Sequence, residues 1–234
     1  MPESGLRPEE LSPGIIECSS PPCMLNELDP AFMEFPDRSP AINTGDDWEE
    51  IRMWRCIKRG QLIKRRVAMP AADRVAHSDR ITAALVNQIL PHFSGRLIGF
   101  YWPFKGEYDP RSLARSLHSK GVRLALPVVL EKARPLIFRE WWPGIRMTKG
   151  IWNIPIPEHG SKVVPDILLV PLVGIDQRRY RLGYGGGYYD RTLAVLPTKP
   201  RLVGIGFELS RIATIYPQPH DIAMDQIVTE CRIM

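Results

Sequence analysis

The sequence predicts an α/β protein of three layers, in which a mainly parallel sheet carries helices on both faces. Short apolar runs that are typical of strands alternate with segments of helical periodicity, and this alternation indicates strands joined by helical connections. The segment 166–176, DILLVPLVGID, is almost entirely apolar. Such a run indicates a strand that is buried on both faces of a sheet.

Two helices open the predicted fold. Residues 48–66 place apolar side chains at helical spacing, and residues 71–91 do so after Pro70, which suits the first turn of a helix. Further helices are expected at 109–121 and 187–196. The strands are expected at 96–102, 123–130, 136–142, 166–176, 201–208 and 226–230.

Charge divides the chain into two parts. Residues 1–50 carry twelve acidic and two basic side chains, a net charge of −10, which leaves +15 on the remainder because the whole chain carries +5. Residues 1–45 are rich in Pro, Ser and acidic residues without periodicity, and we predict an acidic, disordered tail there. Residues 46–234 are predicted to form a single domain. Its basic character favours anionic ligands such as phosphates, polycarboxylates or nucleic acid.

Composition also bears on the expected location. No apolar run approaches the roughly 20 residues of a membrane-spanning helix. The first residues lack the basic start and apolar core of a secretory signal, and they are too acidic for a mitochondrial transit peptide. The four cysteines show no CxxC spacing, so reduced thiols in a cytoplasmic protein are the simplest interpretation. We expect a monomer that does not bind membranes.

The stretch RLGYGGGYYDR, Arg181–Arg191, lies between the apolar run and the helix expected at 187–196. A strand, a glycine-rich loop and a helix start form the arrangement in which backbone N–H groups bind phosphate. The spacing fits neither GxxxxGK[ST] nor GxGxxG, so it is neither a P-loop nor a dinucleotide fingerprint. Taken alone, the glycines are equally compatible with a tight turn. Asp190 could hold Mg²⁺ beside a phosphate or could simply favour the first turn of a helix.

The loop and several other segments together resemble the 5-formyltetrahydrofolate cyclo-ligase family, also called methenyltetrahydrofolate synthetases. The shared segments extend from about Trp54 to the C-terminus and include, in order, KRRVAMP, YWPFKGEYD, LPVV, GIWNIPIP and PHDIAMDQIVTE. The resemblance implies a C–N bond-forming ligase that uses ATP and Mg²⁺ to convert 5-formyltetrahydrofolate into 5,10-methenyltetrahydrofolate, ADP and phosphate. In the implied reaction the formyl oxygen is phosphorylated, N10 attacks the activated carbon, and phosphate leaves.

The resemblance also implies a triphosphate clamp. Arg55 and Arg59, four residues apart on one helix face, match two cations of the family. The family usually has lysine at the position of Arg55, so a point charge is replaced by a planar fork. Arg181 and Tyr188 are assigned to catalysis. The residues assigned to ATP binding are Arg55, Arg59, Arg181, Gly183, Tyr184, Gly185, Gly186, Gly187, Tyr188 and Tyr189.

A metal pair and a pterin pocket follow from the same resemblance. Asp190 and Asp221 are assigned to Mg²⁺, with Asp225 as a competitor for the second place. Glu107 is expected to accept hydrogen bonds from the pterin ring, beside aromatic walls that suit a flat heterocycle. The residues assigned to the folate substrate are Trp102, Glu107, Trp152 and Tyr188.

Two other functions stay open at this point. A paralogue on the same fold could use ATP on a different formylated or carboxylated substrate. A nucleic-acid-binding module could use the basic helix at 48–66, with an affinity that falls steeply with salt, but it gives no account of the glycine loop. The expected partners are small molecules, ATP and 5-formyltetrahydrofolate with or without a polyglutamate tail, rather than nucleic acid. The acidic tail could also fold back over a cleft in the basic part of the chain and inhibit the protein.

Overall fold

The computed structural model describes residues 48–93 and 95–234. The segment 1–45, predicted to be a disordered tail, lies outside the described residues, so that interpretation stays a prediction. The assignment of 46–234 to a single domain also stays a prediction.

Four α-helices lie in the described chain: α1 (Trp48–Val67), α2 (Ala71–Ala84), α3 (Arg111–Ser119) and α4 (Tyr188–Val195). α2 continues through a π-helical turn, Leu85–Ile89, and a 3₁₀ turn, Leu90–Phe93. Pro70 separates α1 from α2 because the residue before a proline is disfavoured in the helical conformation. Arg74 closes this junction, since its guanidinium donates to carbonyl oxygens at the end of α1.

Eleven short strands lie in the same part of the chain. They are β1 (Ile98–Gly99), β2 (Leu124–Val128), β3 (Ile137–Trp141), β4 (Met147–Lys149), β5 (Pro155–Pro157), β6 (Lys162–Val163), β7 (Ile167–Pro171), β8 (Gly174–Ile175), β9 (Arg181–Leu182), β10 (Arg201–Ile205) and β11 (Gln226–Val228). Seven of them form the main sheet in the order β11-β10-β7-β1-β2-β3-β6. The pairs from β11 to β2 are parallel, and β3 runs antiparallel to β2 and β6. The predicted mainly parallel sheet is confirmed.

Apolar side chains fill both faces of this sheet. On one face α2 and α3 pack, through residues such as Ile81 and Leu113, against strand residues such as Leu126. On the other face α4 packs through Leu193 against strand residues such as Leu168. Helices therefore cover both faces, and the three-layer prediction is confirmed.

The structure differs from the predicted strands in several places, among them the short strands β6 and β9, which were not predicted. The apolar run 166–176 is divided: β7 ends at Pro171, which has no N–H for a further ladder bond, and β8 pairs instead with β9. β1 is shorter than the predicted strand 96–102 because the chain leaves the sheet after Phe100 to enter the loop that carries Glu107. The β4–β5 hairpin was not predicted, since Pro155 and Pro157 make β5 an atypical strand.

Two findings bear on the expected environment of the chain. No helix within 48–93 and 95–234 has both the length and the apolar character needed to cross a membrane. Cys231 is a free, exposed thiol. Cys56 on α1 is disulfide-bonded, so the expectation of reduced thiols is wrong for this residue.

Candidate active site

The carboxyl ends of β1 and β7 mark a switch point of the sheet. From β1 the chain passes through α3 to β2 on one side, whereas from β7 it continues to β10 on the other. Ligands of open α/β sheets usually bind in the crevice at such a point. The loop after β1 carries Glu107, and the glycine loop follows β7 through the β8–β9 hairpin. Two separately predicted regions therefore meet at one edge.

α1 turns three of its arginines towards the protein. Arg55, Arg59 and Arg66 expose only 4%, 4% and 2% of their surface. The Nε of Arg59 donates to the carbonyl oxygen of Gly183 at 2.7 Å, which ties the helix to the glycine loop. Burial and the neighbouring Arg55 lower the pKa of Arg59 to about 10, against the opposing effect of Asp221. The guanidinium thus keeps its charge at neutral pH.

Arg55 and Asp221, predicted for the phosphate clamp and the metal site, form an ion pair. The Nη2 of Arg55 lies 2.5 Å from Oδ2 of Asp221, and Nη1 lies 3.3 Å from Oδ1. The same guanidinium donates to the carbonyl oxygens of Ile215 at 2.9 Å and Tyr216 at 2.8 Å. A lysine has a single nitrogen and could not make this planar fork.

The glycine loop adopts backbone conformations that are rare for residues with a side chain. Gly185 and Gly187 have φ values of +93° and +59°, in the left-handed region. A Cβ on Gly186 would lie 2.6 Å from the ring of Tyr188. α4 begins directly after the loop, so the amides of its first turn lack helical partners and are available to an anion.

Arg181 and Asp190 form a second buried pair beside the loop. Their Nη2 and Oδ2 atoms lie 2.9 Å apart, and the side chain of Arg181 exposes only 5% of its surface. The guanidinium also lies 5.2 Å from the ring centre of Tyr189, so that ring supports Arg181. The buried Nε of Arg181 finds no hydrogen-bond partner within the described residues. Such an orphaned donor fits a site that an anionic ligand completes.

Asp190 and Asp221 lie close to each other at this end of the molecule. The amide of Ile222, next to Asp221, donates to Oδ1 of Asp190 at 3.4 Å. Within the described residues, no group of three or more acidic, His or Cys side chains gathers as a metal cage. Two carboxylates fit Mg²⁺ when phosphate oxygens and water supply the other ligands. The competitor Asp225 instead accepts the amide N–H of Leu202 at 2.7 Å.

Glu107 is buried next to Tyr184 of the glycine loop. Its Oε2 accepts the amide N–H of Phe104 at 2.9 Å, and its Oε1 accepts the hydroxyl of Tyr184 at 2.7 Å. Burial raises the pKa of Glu107 to about 7, although Arg66 and both hydrogen bonds oppose that shift. The carboxyl group therefore titrates near neutral pH and can act as a hydrogen-bond acceptor when ionised.

The aromatic residues predicted to contact the substrate fall into two groups. Trp152 and Tyr188 meet edge to face, with ring centres 5.6 Å apart. Trp152 is half exposed and has φ of +57° at the tip of the β4–β5 hairpin. Trp102 lies in the Glu107 loop, with the guanidinium of Arg111 5.0 Å from its ring centre. Trp152 and Tyr188 thus form an aromatic edge beside the glycine loop.

A sequence profile of the 5-formyltetrahydrofolate cyclo-ligase family matches residues 50–230, more than half of the chain. The chain belongs to this family. The cyclo-ligase of Mycolicibacterium smegmatis is 28% identical over 182 residues, which cover 74% of this chain and 92% of that protein. The cyclo-ligase of Haemophilus influenzae is 27% identical over 179 residues, covering 73% and 94%.

Solved structures agree with this membership. The 5,10-methenyltetrahydrofolate synthetase of Aquifex aeolicus superposes with a TM-score of 0.68 at 27% identity, covering 77% of this cyclo-ligase family member and 92% of that chain. The synthetase of Mycoplasma pneumoniae shares the fold, with a TM-score of 0.62 at 24% identity and coverage of 75% and 98%.

Two polar residues near the carboxyl ends of the strands were not predicted from the sequence as parts of the site. Arg66 contacts the Glu107 loop, and its spacing of seven residues from Arg59 could have placed it on the same helix face. Asp176 is 1% exposed and accepts the amides of Arg178, Tyr180 and Ile215. An aspartate that follows a buried strand and bonds the amide two residues later is typical of a turn.

Proposed function

We propose that this chain is a 5-formyltetrahydrofolate cyclo-ligase. In the proposed reaction the formyl oxygen attacks the terminal phosphorus of ATP and ADP leaves. N10 then attacks the activated formyl carbon, N10 loses its proton, and the C–O bond breaks to release phosphate and 5,10-methenyltetrahydrofolate. The observation that carries the proposal is the glycine loop lying against Glu107, joined by the 2.7 Å contact of Tyr184.

The residues around the loop fit the demands of phosphoryl transfer. Such reactions depend on positioned charge rather than on a side-chain nucleophile. Arg59 and Arg181 are held by their neighbours close to the loop, and in the proposal they hold the triphosphate with the loop amides. Asp190 and Asp221 would hold Mg²⁺, which neutralises phosphate charge when bound. Arg55 positions Asp221 through their ion pair.

The substrate side of the proposal depends on Glu107 and the aromatic edge. An ionised Glu107 would accept hydrogen bonds from the 2-amino and N3 groups of the pterin, as the resemblance implies. Trp152 and Tyr188 would flank the reacting part of the folate, and Trp102 would wall the pocket. Contacts of this kind would orient the formyl group towards ATP.

A near-ultraviolet absorbance assay tests the proposal. Purified protein is mixed with 5-formyltetrahydrofolate, with and without ATP and Mg²⁺, and formation of methenyltetrahydrofolate is followed. We expect a rise that requires ATP, is lost in Asp190→Ala and is retained in Asp73→Ala, which removes an exposed acid of α2. ATP binding by a folded protein without any rise would contradict the folate assignment and favour a paralogue with another substrate.

The nucleic-acid alternative receives less support from the structure. Arg55, Arg59 and Arg66 are buried in contacts with the protein, whereas phosphate-binding patches for nucleic acid present their cations to solvent. Salt-sensitive binding of generic DNA or RNA at low ionic strength would restore this alternative.

A further inference from the structure

A chain of hydrogen bonds joins α1 to Glu107 through the glycine loop. The Nη2 of Arg66 donates to the hydroxyl oxygen of Tyr184 at 2.6 Å. That hydroxyl donates in turn to Oε1 of Glu107 at 2.7 Å. The guanidinium of Arg66 lies 3.8 Å from the same oxygen. Tyr184 was predicted to bind the nucleotide. Its side chain instead points to Glu107, the residue predicted to bind the folate.

Arg66 is itself fixed from several directions. Its Nε donates to the carbonyl oxygen of Lys105 at 3.0 Å, and its Nη1 donates to that of Leu172 at 2.8 Å. Lys105 belongs to the Glu107 loop, and Leu172 follows β7 directly. The guanidinium therefore locks the loop after β1, the end of β7 and the glycine loop into one arrangement.

We propose that Arg66 and Tyr184 are positioning residues that hold the Glu107 carboxylate as a hydrogen-bond acceptor for the pterin ring. The inference rests on the proposed function and assigns to Tyr184 a role on the folate side of the site. Neither side chain needs to touch the reacting atoms. Both act by fixing the orientation and the charge of Glu107.

The charges and donors around Glu107 predict the direction in which its pKa changes when the Tyr184 hydroxyl is lost. Burial raises the pKa of Glu107, while the charge of Arg66, the Tyr184 hydroxyl and the Phe104 amide lower it. The phenol groups of Tyr101 and Tyr189 also face this carboxylate. Loss of the Tyr184 hydroxyl removes a donor to the ionised form, so the pKa of Glu107 must rise further. Folate binding that needs the ionised carboxylate then starts at a higher pH.

Binding of 5-formyltetrahydrofolate without ATP tests the proposal. Affinity is measured by calorimetry across the neutral pH range for the wild type, Tyr184→Phe, Arg66→Lys and the control Tyr180→Phe. Tyr180 packs against the same small apolar cluster as Tyr184, and its hydroxyl makes no hydrogen bond within the described residues. In Tyr184→Phe we expect the midpoint pH of folate binding, at which the affinity is half of its maximum, to rise by about one unit. This is the shift expected for the loss of one hydrogen bond to a charged group.

The variants separate positioning from simple structural support. Arg66→Lys keeps the charge and should move the midpoint in the same direction by less, and Tyr180→Phe should match the wild type. MgATP affinity should change less than folate affinity in Tyr184→Phe. Weaker folate binding at every pH with an unmoved midpoint, in a folded Tyr184→Phe protein, would overturn the proposal.

A second readout keeps the proposal separate from the proposed function. If the wild type does not bind 5-formyltetrahydrofolate, the folate assignment fails. The titration of Glu107 can still be followed by carboxyl-carbon NMR and assigned with Glu107→Gln. An upward shift in Tyr184→Phe would support the positioning role, and an unchanged titration would contradict it.

Discussion

Glu107 carries its charge at a place where burial opposes ionisation. In the folded chain its pKa rises from 4.5 to about 7. The folded protein then holds a proton that the unfolded chain releases, so ionisation of Glu107 costs stability as the pH rises through this window. A carboxylate kept at such a cost is typical of a site where the charge is used in binding.

This cost leads to a prediction about stability. Glu107→Gln removes the ionisation, so its free energy of unfolding relative to the wild type should increase as the pH rises from about 4.5 to about 7. Urea unfolding over a series of pH values measures this difference. The matched control Glu131→Gln changes a largely exposed acid and should give a nearly constant difference. A constant difference for Glu107→Gln as well would contradict the raised pKa.

At the scale of elements, the glycine loop and α4 act as one unit. Gly187 precedes α4 in the left-handed conformation, and Gly186 leaves room for the Tyr188 ring. Thr192 joins α4 to the start of β3, since its hydroxyl accepts the amide of Leu136 at 2.7 Å. The loop is therefore held at both ends, and a change at Gly186 must be absorbed within it.

Gly186→Ala tests this view of the loop. A methyl group would force the Tyr188 ring away from its position, and we expect kcat/KM to fall on the order of tenfold to a hundredfold with little loss of stability. Gly121→Ala serves as control because its Cβ would meet open space at φ of +80°. That variant should lose thermal stability through backbone strain while keeping its activity. Equal activity of the two variants would argue against a positioned loop.

For the whole molecule, the main electrostatic feature is the basic character of residues 51–234. Both proposed substrates are anions, and a field of one sign steers anions to the site. Raising the salt concentration should therefore increase KM for MgATP and for the folate severalfold with little change in kcat, since screening weakens long-range attraction. Steady-state kinetics in NaCl, compared with sucrose as a neutral solute, measure the effect. KM values that do not respond to salt would contradict it.

The parts of the site that could be predicted are local in the chain. RLGYGGGYYDR carries its strand, loop and helix start within eleven residues, so periodicity and glycine spacing are enough to predict a loop before α4. The Arg55–Asp221 pair joins residues 166 positions apart, and the Tyr184–Glu107 contact spans 77. No spacing rule predicts such contacts, because the packing of the whole sheet decides which side chains meet. The roles of the individual site residues remain predictions.

The partners of Arg55 lie 160–166 residues further along the chain. Loops of that length close late compared with helix formation, and contacts between distant segments slow folding. A partly folded chain that has assembled only α2, α3, β1 and β2 lacks the Arg55–Asp221 pair and the glycine loop. We therefore predict that the site forms late in folding. MgATP would act only on the finished protein, by slowing its unfolding and not by guiding its assembly.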